Sequence, residues 1–256
     1  MVDDIIYGRN AVIELLKSPR GINKIFLAEG NRDGTLQKIF ALAKDAGVIV
    51  EFVKHDKLDR LCGGRHQGAA AYVAAAEYST VEEILSLAES RDQPPFLLLL
   101  DELEDPQNFG ALLRTAEAVG VHGVIIPKRR SVRLNATVFK TSAGAAKFVK
   151  VAQVTNVAQT LKQLRGLGLK VVGSAPGAAI DLRAADLTGG IVLVVGNEGH
   201  GMRRLTRENC DALVNIPMVG QINSLNASAA GAVLMYEIFY QRRRNHHDQA
   251  ETALPG

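Results

Sequence analysis

Polar side chains able to do chemistry gather in three short stretches of this 256-residue chain. DPQNFGALLR carries Asn108 and Arg114, VVGNEGHGM carries Glu198 among glycines, and QINSLNAS carries Ser224 and Asn226. Amides, a hydroxyl, a carboxylate and a guanidinium orient a ligand through hydrogen bonds and can meet negative charge. Each stretch also has a plain structural role open to it. Asn108 can cap a helix, the glycines can make a turn, and one of Ser224, Asn226 and Ser228 can cap the apolar helix that follows. The placing asks for more than that, because every one of these stretches follows a strand-like run.

Other chemistries fail on spacing. A G-x-G-x-x-G dinucleotide fingerprint should follow the first strand of its unit, where the chain instead reads DPQNFG, and residues 196–201 read G-x-x-G-x-G. Neither G-x-x-x-x-G-K-[ST] nor G-x-S-x-G occurs. Cys62 and His66 lie four apart, but two ligands do not make a metal site, so no metal is expected. With only Cys62 and Cys210 there is no disulfide framework, which points to a reduced, cytoplasmic setting. The start, MVDDIIYGRN, has no basic-then-apolar leader pattern, and no apolar run approaches the roughly 20 residues of a membrane span.

The elements that must position these groups fall into two textures. Helix-like YGRNAVIELLK, strand INKIFLAEG, helix TLQKIFALAKDAG, strand VIVEFV, helix DKLDRLC and strand AAAYVAAAEY form a small α/β unit over 1–76. Residues 77–95, ending at Pro94 and Pro95, look like a helical linker. From 96 to 243 strands FLLLLDE, GVIIP, VKVAQV, LKVVGSA, IVLVVG and LVNIPM alternate with helices, the pattern of a mostly parallel sheet covered on both faces. Polar residues 244–256 are expected as a disordered tail. In such a fold the chemistry belongs in the loops beyond the carboxyl ends of the strands, where all three stretches sit.

Net charge is +3, which permits a nucleic-acid partner without demanding one. Basic clusters at Lys128, Arg129, Arg130 and Arg133, at Arg203, Arg204 and Arg207, and at Arg242, Arg243 and Arg244 are either solvated surface or contact points for such a partner. Tryptophan is absent and aromatics make up 5%, so a stacking platform for single-stranded bases is not written into the composition.

N108-F-G-x-x-x-R114, V195-G-N-E-G-x-G201 and I216-P-M followed by S224-L-N-x-S228 closely resemble the three signature motifs of the SpoU-type RNA 2′-O-ribose methyltransferases, in order and spacing across about residues 96–243. The first part resembles the L30e-like substrate-binding domain that precedes the catalytic domain in many members. R-S-x-x-L-N-A-T at 130–137 and G-M-R-R-L-T-R-E at 201–208 make the layout look most like the bacterial enzymes that methylate a guanosine ribose of 23S ribosomal RNA.

The resemblance implies a C-terminal deep trefoil knot, a homodimer with its active site near the interface, and S-adenosylmethionine held in the knotted loops largely by backbone groups. Carried over by motif, Gly196, Ile216 and Leu225 hold that cofactor, with Ser174 in GSAPG as a further candidate. The implied reaction is attack of a ribose 2′-hydroxyl on the sulfonium methyl carbon, with Arg114, Asn108, Glu198, Ser224 and Asn226 as catalytic candidates. Arg114 is assigned to the hydroxyl, either as a base or, since arginine hardly deprotonates, as a phosphate ligand and stabiliser of the forming alkoxide. At the 224–228 mouth one residue is expected to cap and the others to face substrate. The same chemistry on tRNA and a non-catalytic RNA-binding protein remain as alternatives.

Overall fold

The computed structural model describes residues 5–17, 21–30, 34–62, 65–73, 77–221 and 224–252. The chain divides into two compact units, one running to Glu77 together with Arg133–Phe139, the other comprising Tyr78–Val132 and the chain from Lys140 onward.

In the first unit β1 (Ile5–Tyr7), α1 (Arg9–Lys17), β2 (Ile22–Ala28), α2 (Gly34–Asp45), β3 (Val50–Val53), α3 (His55–Cys62) and β4 (Ala69–Val73) build a sheet of order β1-β4-β2-β3. Only the β2–β3 pair is parallel. Strand alternation sorts the side chains to two faces. Ile25 and Leu27 pack with Val12 and Leu15 of α1 and Leu36 and Ile39 of α2, whereas Phe26 and Ala70 pack against Leu58 of α3. The inserted segment is tied in by the Asn23 amide, which donates to the Leu134 carbonyl at 3.0 Å. His66 is a structural residue: its Nδ1 accepts from Gly68 N at 3.0 Å and its Nε2 meets Asp59 at 3.0 Å.

The second unit opens with α4 (Val81–Ser90) and continues through β5 (Phe96–Asp101), α5 (Pro106–Ala118), β6 (Gly123–Pro127), α6 (Ala136–Thr141), β7 (Lys150–Val154), α7 (Val157–Gly166), β8 (Lys170–Ser174), β9 (Ile180–Asp181), β10 (Ile191–Gly196), α8 (Arg204–Glu208), β11 (Ala212–Asn215) and α9 (Ala227–Thr252). Most of α6 belongs to the segment grouped with the first unit. The sheet has order β7-β6-β5-β10-β8-β11-β9, and every neighbouring pair is parallel. Leu97, Leu99, Val192 and Val194 face Ile84 of α4 and Leu161 of α7. On the opposite side α5 packs against α9, closely enough that a β-carbon at Gly231 would strike Leu112.

Two expectations change. The stretch 77–95 is helical, but its Thr80 capping box and fully buried Ile84 make α4 part of the second unit's core instead of a linker. The region from 244 stays helical as far as Thr252, because no glycine or proline interrupts RRRNHHDQAET; residues 253–256 of the expected tail lie outside the described residues. Strands β1 and β9 are additions, too short to announce themselves by periodicity. Among the described residues no helix is long and apolar enough to cross a membrane.

Candidate active site

Parallel pairing sends the carboxyl ends of β5, β10, β8 and β11 to one edge, with Gly196 opposite Asp101 and Val214 opposite Ser174. Beyond that edge the loops after β8, β10 and β11 enclose a cavity of about 410 Å³. All four cofactor candidates, Gly196, Ile216, Leu225 and Ser174, line it, as do Glu198 and Ser224.

The loop after β10 is a tight hairpin in which Asn197 and Gly201 exchange backbone hydrogen bonds of 3.0 and 2.9 Å. Gly196 must be glycine, because a β-carbon there would collide with the backbone of Gly201 and Met202. A network at the end of β5 holds this hairpin down. Fully buried Asp101 accepts from Arg203 N at 2.8 Å and Nε at 2.8 Å and pairs with its Nη2 at 2.6 Å. The Glu102 carbonyl accepts from Asn197 Nδ2 at 2.9 Å, and its buried carboxylate faces Arg203 at 3.3 Å, His200 at 3.5 Å and Arg130 at 3.7 Å. Glu102 takes a left-handed backbone (φ 62°), which costs a non-glycine residue about 1 kcal/mol. These acidic anchors were missed in the sequence, although both close the FLLLLDE strand where a buried run turns abruptly charged.

Asn108 does not cap α5. Asp105 does, accepting from Gln107 N at 3.1 Å and Asn108 N at 3.2 Å, with Pro106 preset in the first turn. The buried Asn108 amide is thereby free to donate to the Glu198 carboxylate, joining the first and second signature stretches. Asn226 is the cap of α9: its Oδ1 accepts from Ser228 N at 2.9 Å, Ser228 Oγ at 2.6 Å and Ala229 N at 3.3 Å. The Ser228 hydroxyl is thereby engaged by the cap, and Ser224 is the polar side chain of the mouth that lines the cavity.

Arg114 stands apart. It lies six residues beyond Asn108, about 9 Å along α5 at the usual rise, exposed on a different face and outside the cavity lining. Among the described residues its side chain has no hydrogen bond or ion pair, so its guanidinium is available to an incoming group.

The cavity suits a cofactor that is part apolar and part charged. Val195, Ile216, Met218 and Leu225 give it apolar walls, while Glu198, His200 and Arg207 are the ionisable residues among its lining. Backbone groups of Ile216, Met218 and Leu225 take part in no hydrogen bond among the described residues, which leaves amide and carbonyl groups open beside the cavity. Outside the cavity lining, burial pushes the Cys210 thiol up to about 12, with Asp211 and Asp101 adding to the rise, so it is packed against the core and is not a nucleophile. Among the described residues no group of three or more metal-ligating side chains occurs.

Residues 95–236 match the SpoU rRNA Methylase family, and residues 5–79 match the RNA 2′-O ribose methyltransferase substrate-binding family. The chain is 47% identical over 94% of its length to YacO of Bacillus subtilis (strain 168), named as a TrmH family tRNA/rRNA methyltransferase, covering 96% of that protein. In fold it is similar to an AdoMet-bound rRNA methyltransferase from Sinorhizobium meliloti, at TM-score 0.57, 22% identity and coverage of 94% of this chain and 87% of that one. It is also similar to the A. aeolicus TrmH/SpoU tRNA modifying enzyme, at TM-score 0.56 and 29% identity over 64% of this chain and 85% of that one. With the family match spanning more than half of its residues and a relative near one-half identical along almost all of them, the chain belongs to the SpoU family of RNA methylases.

Proposed function

We propose that this protein uses S-adenosylmethionine to methylate the ribose 2′-hydroxyl of a guanosine in 23S ribosomal RNA. The observation that carries the reading is the meeting of Ser174, Gly196, Ile216 and Leu225, far apart in sequence, around one cavity whose rim holds the Asn108–Glu198 contact. When bound, the cofactor supplies an electrophilic methyl group. The chain's own part is to hold the two reactants in line and to favour the oxygen as it gains charge. Loop backbones grip the methyl donor, Asn108 and Glu198 fix the loop beside it, and Ser224 and the free amide of Asn226 orient the ribose. Exposed Arg114 takes an RNA phosphate and steadies the forming alkoxide, a role that suits a group that stays protonated.

The same reading includes a homodimer joined through α9, a C-terminal deep trefoil knot, an L30e-like first unit that grips RNA, and a cytoplasmic setting. A tRNA acceptor is the second reading, favoured by the likeness to the A. aeolicus tRNA modifying enzyme.

Purified protein given labelled methyl donor and either ribosomal RNA or tRNA tests both. Label should appear as 2′-O-methylguanosine in 23S RNA, and Arg114→Ala should lower transfer by about 100-fold or more while leaving donor affinity intact. Label in tRNA alone would move the assignment to the second reading. Transfer to neither, with donor bound, would leave an RNA-binding protein.

A further inference from the structure

The basic stretch after β10 divides sharply in its commitments. Arg203 is clamped by Asp101 and Glu102, and Arg204 pairs with Glu208 at 2.7 Å. Arg207, one turn on in α8, has no side-chain hydrogen bond or ion pair among the described residues. Its side chain is exposed while its backbone is held in place: its N donates to Arg203 O at 2.9 Å, its carbonyl accepts from Cys210 N at 3.2 Å, and Thr206 beside it is 2% exposed. Arg207 lines the 410 Å³ cavity, where it is the one arginine or lysine, opposed by the single carboxylate of Glu198.

We propose that Arg207 binds the carboxylate of the methyl donor's amino-acid end. This rests on the methyltransferase reading. S-adenosylmethionine carries one anionic group, its carboxylate, alongside a sulfonium and an ammonium. An arginine fork offers that carboxylate paired N–H donors that no backbone amide matches. The apolar walls and free backbone groups at Ile216, Met218 and Leu225 take the adenosine end, and Arg207 then orients the donor along the cavity.

Titration calorimetry on the full chain with S-adenosylmethionine, decarboxylated S-adenosylmethionine and methylthioadenosine separates the contributions without any turnover. Arg207→Ala should weaken S-adenosylmethionine about tenfold or more, as expected for loss of a charge-assisted pair. It should leave the two ligands lacking a carboxylate unchanged or slightly tighter. Arg207→Lys should recover part of the loss, and Arg204→Ala none of the effect, with all variants melting as the wild type does. Equal weakening of all three ligands, or unchanged affinity for S-adenosylmethionine, overturns the assignment while leaving the methyltransferase reading standing. A wild-type protein that binds none of them overturns both.

Discussion

Arg203 shows how one side chain can govern the cavity without touching what the cavity holds. Its guanidinium and backbone N–H hold a carboxylate, Asp101, that no water reaches, and its other arm meets Glu102. Removing it strands buried negative charge, which costs far more than losing a surface pair. Arg203→Ala should therefore destabilise the protein by about 3 kcal/mol in denaturant melts. Arg203→Lys should restore only part, because a point charge cannot reproduce the two-pronged contact. Arg204→Ala, which breaks the exposed pair with Glu208, should change stability by less than about 0.5 kcal/mol. Similar losses for Arg203→Ala and Arg204→Ala would show that Asp101 does not depend on its partner. Such distinctions were invisible in the sequence, where both arginines sat in one basic cluster. Composition records a charge, but its environment decides whether that charge is a staple, as in Arg203, or a candidate ligand group, as in Arg207.

At the scale of elements, the strands of the second unit were legible because buried parallel strands read as unbroken apolar runs, as in FLLLL and IVLVV. Their order was not, since nothing in local periodicity says that β10 inserts between β5 and β8. The cavity residues were legible only through motif resemblance, because Gly196, Ile216 and Leu225 offer backbone geometry, which leaves no side-chain signature. At the opposite edge of the sheet, His122 shows what fixes the strand starts. Its Nδ1 accepts from Phe96 N at 3.0 Å and its Nε2 meets Gln93 Oε1 at 3.1 Å, so the neutral ring ties the connection from α4 into β5 to the start of β6. Burial, then the nearby cations Arg91 and Arg242, lowers its pKa from 6.5 to about 4. The unfolded chain thus binds a proton more readily than the folded one between those values. Stability from this source is complete above pH 6.5 and is lost as pH falls toward 4. Thermal melts from pH 7.5 down to about 5 should fall more steeply for wild type than for His122→Gln, which keeps hydrogen-bonding groups but does not titrate. Parallel curves would remove His122 as the source.

At the scale of the whole molecule, α9 carries more apolar surface than its own unit covers. Leu234, Met235 and Ile238 are fully buried against α5 and β10, as any amphipathic helix requires. Yet Val233, Tyr236 and Tyr240, spaced i, i+3 and i+7, form a second stripe that is 44%, 41% and 53% exposed. Polar helix positions are the norm on a solvent face, so a second apolar stripe there fits the proposed contact between two copies. Tyrosines are also suited to such a surface, with apolar rings to bury and hydroxyls to satisfy at its rim. Arg242 and Arg244, in the basic run that closes this part of the helix, are engaged within the unit: Arg242 donates to the carbonyls of Pro94, Pro95 and Gly189, and Arg244 meets Glu237 at 3.6 Å. If α9 joins two chains, light scattering at micromolar concentration should give twice the chain mass for wild type. Tyr236→Glu, which places a charge in the middle of the stripe while sparing the buried face, should give the monomer mass with an unchanged melting temperature at low protein concentration. A wild type that runs as a monomer, or a Tyr236→Glu variant that stays paired, would mean that the stripe serves another surface, and the site would then have to be complete within a single chain.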